Sequence, residues 1–367
     1  MKEAAGDVSH VAPARALEPA SGPQLRVLFV DWLRCFAAFQ MLQGHTIAAV
    51  LAPRYRTGSV YALWSFARGL TSVAFLFTAG MAFYFACARE LGRPRAQRRV
   101  FGRRARRALM LIALGYVLHL PVGALFTADP RAHEQLLRAF VGIDILQCIG
   151  VSLAVLELLL WLLPGARSFL WVCTGASVVL LALTPWTSGV SVAPPLSALL
   201  AYVSTAVGSS FPLLPWATHL FFGVACGAWL LAPGWPRAEL RLLVAACVLL
   251  AVCVTLQAVW GPSIVSDHLR RLGSVLLVSA LLAWLAARVR RNHGLISLLA
   301  RDTLLLYVSH VLLIYGQGMG LADWVGRRLA PASAIALAAL VVVGSGALVV
   351  GYRRLRGGRL AAAVRTG

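Results

Sequence analysis

Ten stretches of this chain are apolar over a length that crosses the ~30 Å hydrocarbon core of a bilayer, and nothing else in the sequence restricts the fold as much. They fall at about 27–51, 61–87, 108–126, 137–163, 168–185, 213–231, 239–260, 272–289, 302–319 and 332–352. Within lipid every backbone N–H and C=O has to be satisfied inside its own segment, which leaves the α-helix for runs of this length. The sequence predicts an all-α polytopic membrane helical bundle of about ten transmembrane helices, with the lipid bilayer as its first partner. An eleventh stretch, residues 195–209, is short and rich in Ser and Thr, and is expected to be interfacial or re-entrant. With 60% hydrophobic and 13% charged residues, the composition excludes a soluble globular domain. One integral domain is expected over residues 25–353. It is flanked by a disordered tail at 1–24, which lacks the apolar core of a signal peptide, and by a basic tail at 354–367.

Charge sets the orientation, because cytoplasmic loops carry the Lys and Arg excess. With ten crossings and a cytoplasmic N-terminus, the inner segments hold 24 of the 34 basic residues and the outer loops 8, while Arg34 and Arg68 lie within spans. If residues 195–209 also crossed, the clusters at 288–301 and 353–365 would move outside. Both termini are therefore expected in the cytoplasm, in a multi-pass protein of the cell membrane. A net charge of +21 invites a nucleic-acid reading. However, grooves for bases interleave cations with aromatics, and the longest basic run, Arg89 to Arg107, contains only Phe101. No nucleic-acid partner is expected.

The chemistry concentrates in the first span. An ionisable side chain inside a membrane helix costs at least ~2.5 kcal/mol and marks a functional position by default. Asp31, Arg34 and His45 all fall in this span. At about 100° per residue, the eleven steps from Arg34 to His45 return to within ~20° of the starting direction, so the three share one face. Arg34 and His45 then lie about 16 Å apart along the axis, a separation that suits one long substrate touching both. Asp31 and Arg34, at i and i+3, are placed to pair.

His45 reads as a general base, imidazole being the side chain most easily poised near neutrality, or as a polar group satisfied inside the bundle. Arg34 either holds a carbonyl or phosphate or neutralises Asp31. Arg68 has no carboxylate within four residues, so an anionic substrate group or a carboxylate from another helix, such as Asp144, must satisfy it. Asp144 is a candidate to orient His45 as the acid of a triad does, or pairs structurally. His119, His219 and His310 are further intramembrane histidines, with Tyr307 one turn before the last. None sits at the H-x3-H spacing of a helix-borne metal pair, and the seven cysteines form no C-x-x-C, so no metal is expected and the cysteines read as packing residues. Gly44, Gly80, Gly223 and Gly227 are expected at close helix contacts.

The string Asp31-Trp32-Leu33-Arg34, followed by His45, resembles the R-x10-H motif of membrane acyltransferases. These are the acyltransferase-3 family and the related heparan-α-glucosaminide N-acetyltransferase catalytic domain family. Phe75-Leu76-Phe77-Thr78-Ala79-Gly80-Met81, Phe211-Pro212-Leu213-Leu214-Pro215-Trp216 and Leu304-Leu305-Leu306-Tyr307-Val308-Ser309-His310 extend the likeness in the order expected of the second family, over roughly residues 25–350. Cys35 stands where a Gly usually follows the motif arginine. The resemblance implies an acyltransferase that takes an acyl group, such as acetyl, from cytosolic acyl-coenzyme A (acetyl-CoA) and places it on an amine or hydroxyl of a glycan-like acceptor across the membrane. On that reading His45 and Asp144 are catalytic, Asp31, Arg34, Arg68, Tyr307 and His310 bind substrate, and the 89–107 arginines meet the donor's phosphates or act as a topology signal. The alternatives are a transporter or flippase using Asp31, Arg34, Arg68 and Asp144 as a polar path, and an inactive family member kept for assembly or binding.

Overall fold

Helix accounts for about four fifths of the described backbone in the computed structural model, which describes residues 28–120, 129–130, 140–190, 196–232, 237–288, 294–316 and 319–365. Among the described residues the single β-type contact is one bridge, Leu51 to Leu329. The expected tail at 1–24 and the outer end of the 108–126 stretch lie outside the described residues.

In chain order the helices are α1 (Leu28–Val50), α2 (Gly58–Leu91), α3 (Arg103–Leu118), α4 (Ile145–Leu162), α5 (Ala166–Thr187), α6 (Ser197–Leu200), α7 (Leu213–Leu231), α8 (Ala238–Trp260), α9 (Ile264–Arg288), α10 (Gly294–Arg301), α11 (Thr303–Tyr315), α12 (Leu321–Trp324) and α13 (Pro331–Arg365). Breaks fall where sequence chemistry places them. Gly102 precedes α3, Asp144 precedes α4 in extended conformation, and Gly261, at φ 77°, ends α8. Pro331 opens α13, where its missing N–H costs nothing.

Among the described residues seven helices are long and apolar enough to cross a membrane: α2, α4, α5, α7, α8, α9 and α13. The pair α10 and α11, bent by 67° at Asp302, makes an eighth if it counts as one span. The figure of about ten thus goes beyond what length and hydropathy establish. The described part of the 195–209 stretch, 196–209, holds only the four-residue α6 and turns, pinned by Ser204, whose hydroxyl donates to the carbonyls of Ser188 (3.1 Å) and Val190 (2.7 Å). Four helical residues rise only about 6 Å, too little to cross. At the other end α13 continues to Arg365, taking in most of the segment expected as a basic tail.

Two glycines fix how the bundle closes. A Cβ on Gly80 of α2 would land on the carbonyl oxygen of Leu220, and one on Gly223 of α7 on that of Phe77, so these helices touch backbone to backbone. Around this crossing lie Phe77, Met81, Val224 and Leu220, all fully buried. A loop arginine closes the C-terminal end of α4. Arg98 donates to the carbonyls of Leu160, Leu163 and Pro164, satisfying the C-terminal groups of α4 that the helix itself leaves unpaired.

Candidate functional site

A cavity of about 230 Å³ opens between α1, α2, α3, α4 and α11. Arg104 and Arg107, from the first turns of α3, line it together with Arg34, and so do His45, Asp144 and Tyr307. The apolar remainder is Phe75, Phe83, Leu146 and similar side chains, with the hydroxyls of Thr71, Ser72 and Thr78 interspersed. α1, α3 and α11 start at the same end of the bundle and α2 ends there, so the arginines of α3 gather at one end while His45 stands five residues from the opposite end of α1. Arg34 and His45, about 16 Å apart along the helix, do share one cavity.

Position governs the charge here. Arg104 is held by Glu157, buried in α4, at 2.9 Å, and Glu157 also accepts from the Phe101 backbone N–H. Arg107 is exposed and has no ion-pair partner among the described residues. The mouth therefore presents cations of which only some are neutralised, over an apolar shaft.

His45 is half-buried, with its ring edge-on to His310 (centroids 5.2 Å apart) and to Tyr315 (5.7 Å). The Tyr315 hydroxyl donates to the His45 carbonyl at 3.4 Å. The Nδ1 of His45 has no hydrogen-bond partner among the described residues, and neither has the Nε2 of His310. His310 Nδ1 lies 3.0 Å from the Leu306 carbonyl, which can only accept, so that nitrogen carries a proton, and in the neutral ring Nε2 keeps its lone pair.

Asp144 sits elsewhere than expected. The 137–163 stretch does not run through it as helix; α4 begins at Ile145, and Asp144 is its N-terminal flanking residue, its N–H donating to Gln147 Oε1 at 3.3 Å. Its carboxylate accepts from the Tyr307 hydroxyl at 2.7 Å and lies 3.7 Å from His119 Nε2. No contact among the described residues joins Asp144 to His45, so the triad-like pairing expected from sequence is absent from this geometry. Tyr307 is the link, since its ring meets His310 at 5.4 Å.

The other expected site residues divide. Asp31 is buried near the N-terminal end of α1 and accepts from Ser297 of α10 at 3.3 Å, away from the cavity lining. Arg68 lies over the Trp64 ring at 5.5 Å and packs against Gly44, where a Cβ would meet its Cγ. Among the described residues no carboxylate reaches Arg68. Trp64 in turn donates to Gln43 Oε1 at 3.0 Å, and Gln43 to Gln40 at 2.8 Å, forming a polar strip beside His45.

His268 was not singled out from sequence, because it precedes the apolar stretch at 272–289 and reads as loop. α9 starts earlier, at Ile264, and brings His268 Nδ1 to 2.9 Å from His219 Nε2. Tyr315 gave no sequence signal either. Among the described residues no group of three or more His, Cys, Asp or Glu is arranged to hold a metal.

No curated protein matches the chain. The family model described as "Heparan-alpha-glucosaminide N-acetyltransferase, catalytic" matches residues 26–260, well over half of the sequence, and spans α1 to α8. It covers Arg34, His45, Arg68, Arg104, Arg107 and Asp144, and stops before Tyr307 and His310. The cavity is thus built mostly from the matched region, with one wall from beyond it, and the chain belongs to the heparan-α-glucosaminide N-acetyltransferase catalytic family.

Proposed function

We propose that this protein is a membrane acetyltransferase that takes the acyl group of acetyl-CoA from the cytoplasmic side and transfers it to an amine or hydroxyl of a glycan-like acceptor, with His45 as general base. The observation that carries this is the single cavity joining Arg34, Arg104 and Arg107 to His45. A nucleotide-tailed thioester has the matching shape: phosphates for the cationic mouth, a slender arm for the apolar shaft and a reactive carbonyl for the depth at His45. In this reading the protein sits in the cell membrane, crosses it ten times and keeps both termini in the cytoplasm.

The acceptor's nitrogen or oxygen attacks the thioester carbonyl carbon while His45 takes its proton. A tetrahedral intermediate forms, then the C–S bond breaks, and the thiolate of coenzyme A leaves and collects a proton. Donors to the oxyanion would come from the hydroxyls that line the cavity, such as Thr71. Asp144 acts here as a positioning residue, holding Tyr307 against the wall that carries His310. On the far side of His45, Trp64 with Gln43 and Arg68 supplies an aromatic face, amides and a guanidinium, the group types that bind sugars bearing an acidic substituent.

The test is incubation of the purified protein with radiolabelled acetyl-CoA and a panel of amino sugars and neutral sugars. Label on an acceptor, lost in His45→Ala, supports the proposal. A folded protein that labels none of them, yet moves an anion across vesicles in a manner dependent on Asp31 and Arg34, would replace it with the transporter reading.

A further inference from the structure

A second concavity lies away from the cavity just described, on the face formed by α5, α7 and the inner half of α2. It is a groove of about 600 Å³ whose walls include Trp171 of α5 and Trp229 of α7, with Ala225, Ala228 and Ala232 along the α7 side. The small side chains recur at i, i+3 and i+7, so one face of α7 is cut back for two turns, a length of about 10 Å. The surrounding surface is apolar and faces outward: Trp171 is 68% exposed and Val178 63%. α5 is long and apolar enough to cross a membrane, so this face meets lipid.

One cation breaks the apolar lining. Arg167, exposed in the first turn of α5, closes the end of the groove next to Ala232. Three other arginines are committed to carbonyls at helix ends: Arg98 to Leu160, Leu163 and Pro164, Arg95 to Trp161, and Arg241 to Trp229 and Ala232. Among the described residues Arg167 has neither a hydrogen bond nor an ion pair, and no acidic residue lines the groove. The hydroxyls of Tyr84 and Thr174 and the indole N–H groups of Trp171 and Trp229 are its remaining polar side-chain groups.

We propose that this groove is a binding site for one anionic phospholipid. The charge order selects the occupant. A guanidinium at one end of an apolar slot matches a phosphate joined to an acyl chain, and the adjoining hydroxyls are donors for ester oxygens. A transmembrane helix from a partner would leave Arg167 facing hydrocarbon, and a soluble phosphate would leave the slot unfilled. The lipid contacts α2 and α7, the helices whose glycine crossing sets the cavity wall, and so bears on the bundle without entering the acyl-transfer site.

The test is electron spin resonance on the full chain reconstituted in phosphatidylcholine bilayers containing spin-labelled phosphatidylglycerol or spin-labelled phosphatidylcholine. The expected result is about one strongly immobilised phosphatidylglycerol per chain, preferred severalfold over phosphatidylcholine. Arg167→Gln should bring that preference close to unity, Arg167→Lys should retain part of it, and Ala228→Trp should abolish the immobilised component. Unchanged preference in Arg167→Gln, an immobilised lipid that survives Ala228→Trp, or displacement of the lipid by millimolar inorganic phosphate would each overturn the proposal. Acetyl transfer by the Arg167 variants in detergent is expected at the wild-type rate, which separates this site from the cavity at His45.

Discussion

Two pairs of histidines lie inside this bundle, and they are built to opposite ends. His219 and His268 stack at 5.2 Å with ring planes 18° apart, bond to each other at 2.9 Å, are both buried, and have Trp216 edge-on to His268. One nitrogen of each ring is satisfied by the other, while His219 Nδ1 has no partner among the described residues. His45 and His310 also lie 5.2 Å apart, but edge to face, with no hydrogen bond between them, and His45 borders a cavity whose far end carries arginines. Rarity within lipid therefore does not identify a working residue on its own. What separates the pairs is access: the first closes a helix contact, whereas His45 of the second borders the cavity, with His310 fully buried behind it.

The sharpest way to break this comparison is to delete one imidazole from each pair. His45→Ala should lower kcat by about 10² to 10⁴, the usual loss of a general base, with the thermal midpoint little changed. A variant that transfers acetyl at the wild-type rate would move the base elsewhere, with His310 next in line. Arg34→Ala should act on binding first, raising the donor KM by about tenfold or more, since a charge-assisted contact is worth ~1.5–3 kcal/mol. If kcat falls instead while KM holds, Arg34 belongs to the chemical step. His219→Ala should give the converse of His45→Ala. Stability drops by ~1–3 kcal/mol because His268 is left with a buried unpaired nitrogen, and kcat stays within about twofold; loss of turnover in a folded His219→Ala protein would erase the distinction drawn here. The smallest effect belongs to Arg107→Gln. Exposed charges are screened, so the donor KM should rise only a few-fold, and by less at high salt.

Sequence periodicity put Asp31, Arg34 and His45 on one face of α1; Arg34 and His45 line the cavity, whereas Asp31 packs against Ser297 away from it. The eleven-residue interval between Arg34 and His45 is close to three helical turns, and both side chains line one cavity. Gly80 and Gly223 were legible for a similar reason, because small residues in apolar helices mark close approach. Tertiary partners were not legible. Nothing local tells that Tyr307 meets Asp144 across 163 positions, or that Asp302 at the α10–α11 bend takes both oxygens' bonds from Arg353 at 2.5 and 2.7 Å. Helix ends misled as well. Hydropathy began the ninth helix at 272, whereas Asp267, paired with Arg270 and Arg271 at 2.6 Å, lets it start at Ile264 and carry His268 into the bundle. The same error of a few residues placed Asp144 inside a span when it stands just before one.

The central claim, that the cavity running from Arg104 and Arg107 to His45 holds the acyl donor, is tested most directly by a cryo-electron microscopy structure of His45→Ala with acetyl-CoA, the substitution serving to stall turnover. The account predicts density for the donor between α1, α2, α3, α4 and α11, its phosphates at Arg104 and Arg107 and its thioester carbonyl beside position 45. Donor density outside this cavity, or inside it with the thioester at the arginine end and the phosphates at position 45, would contradict the account.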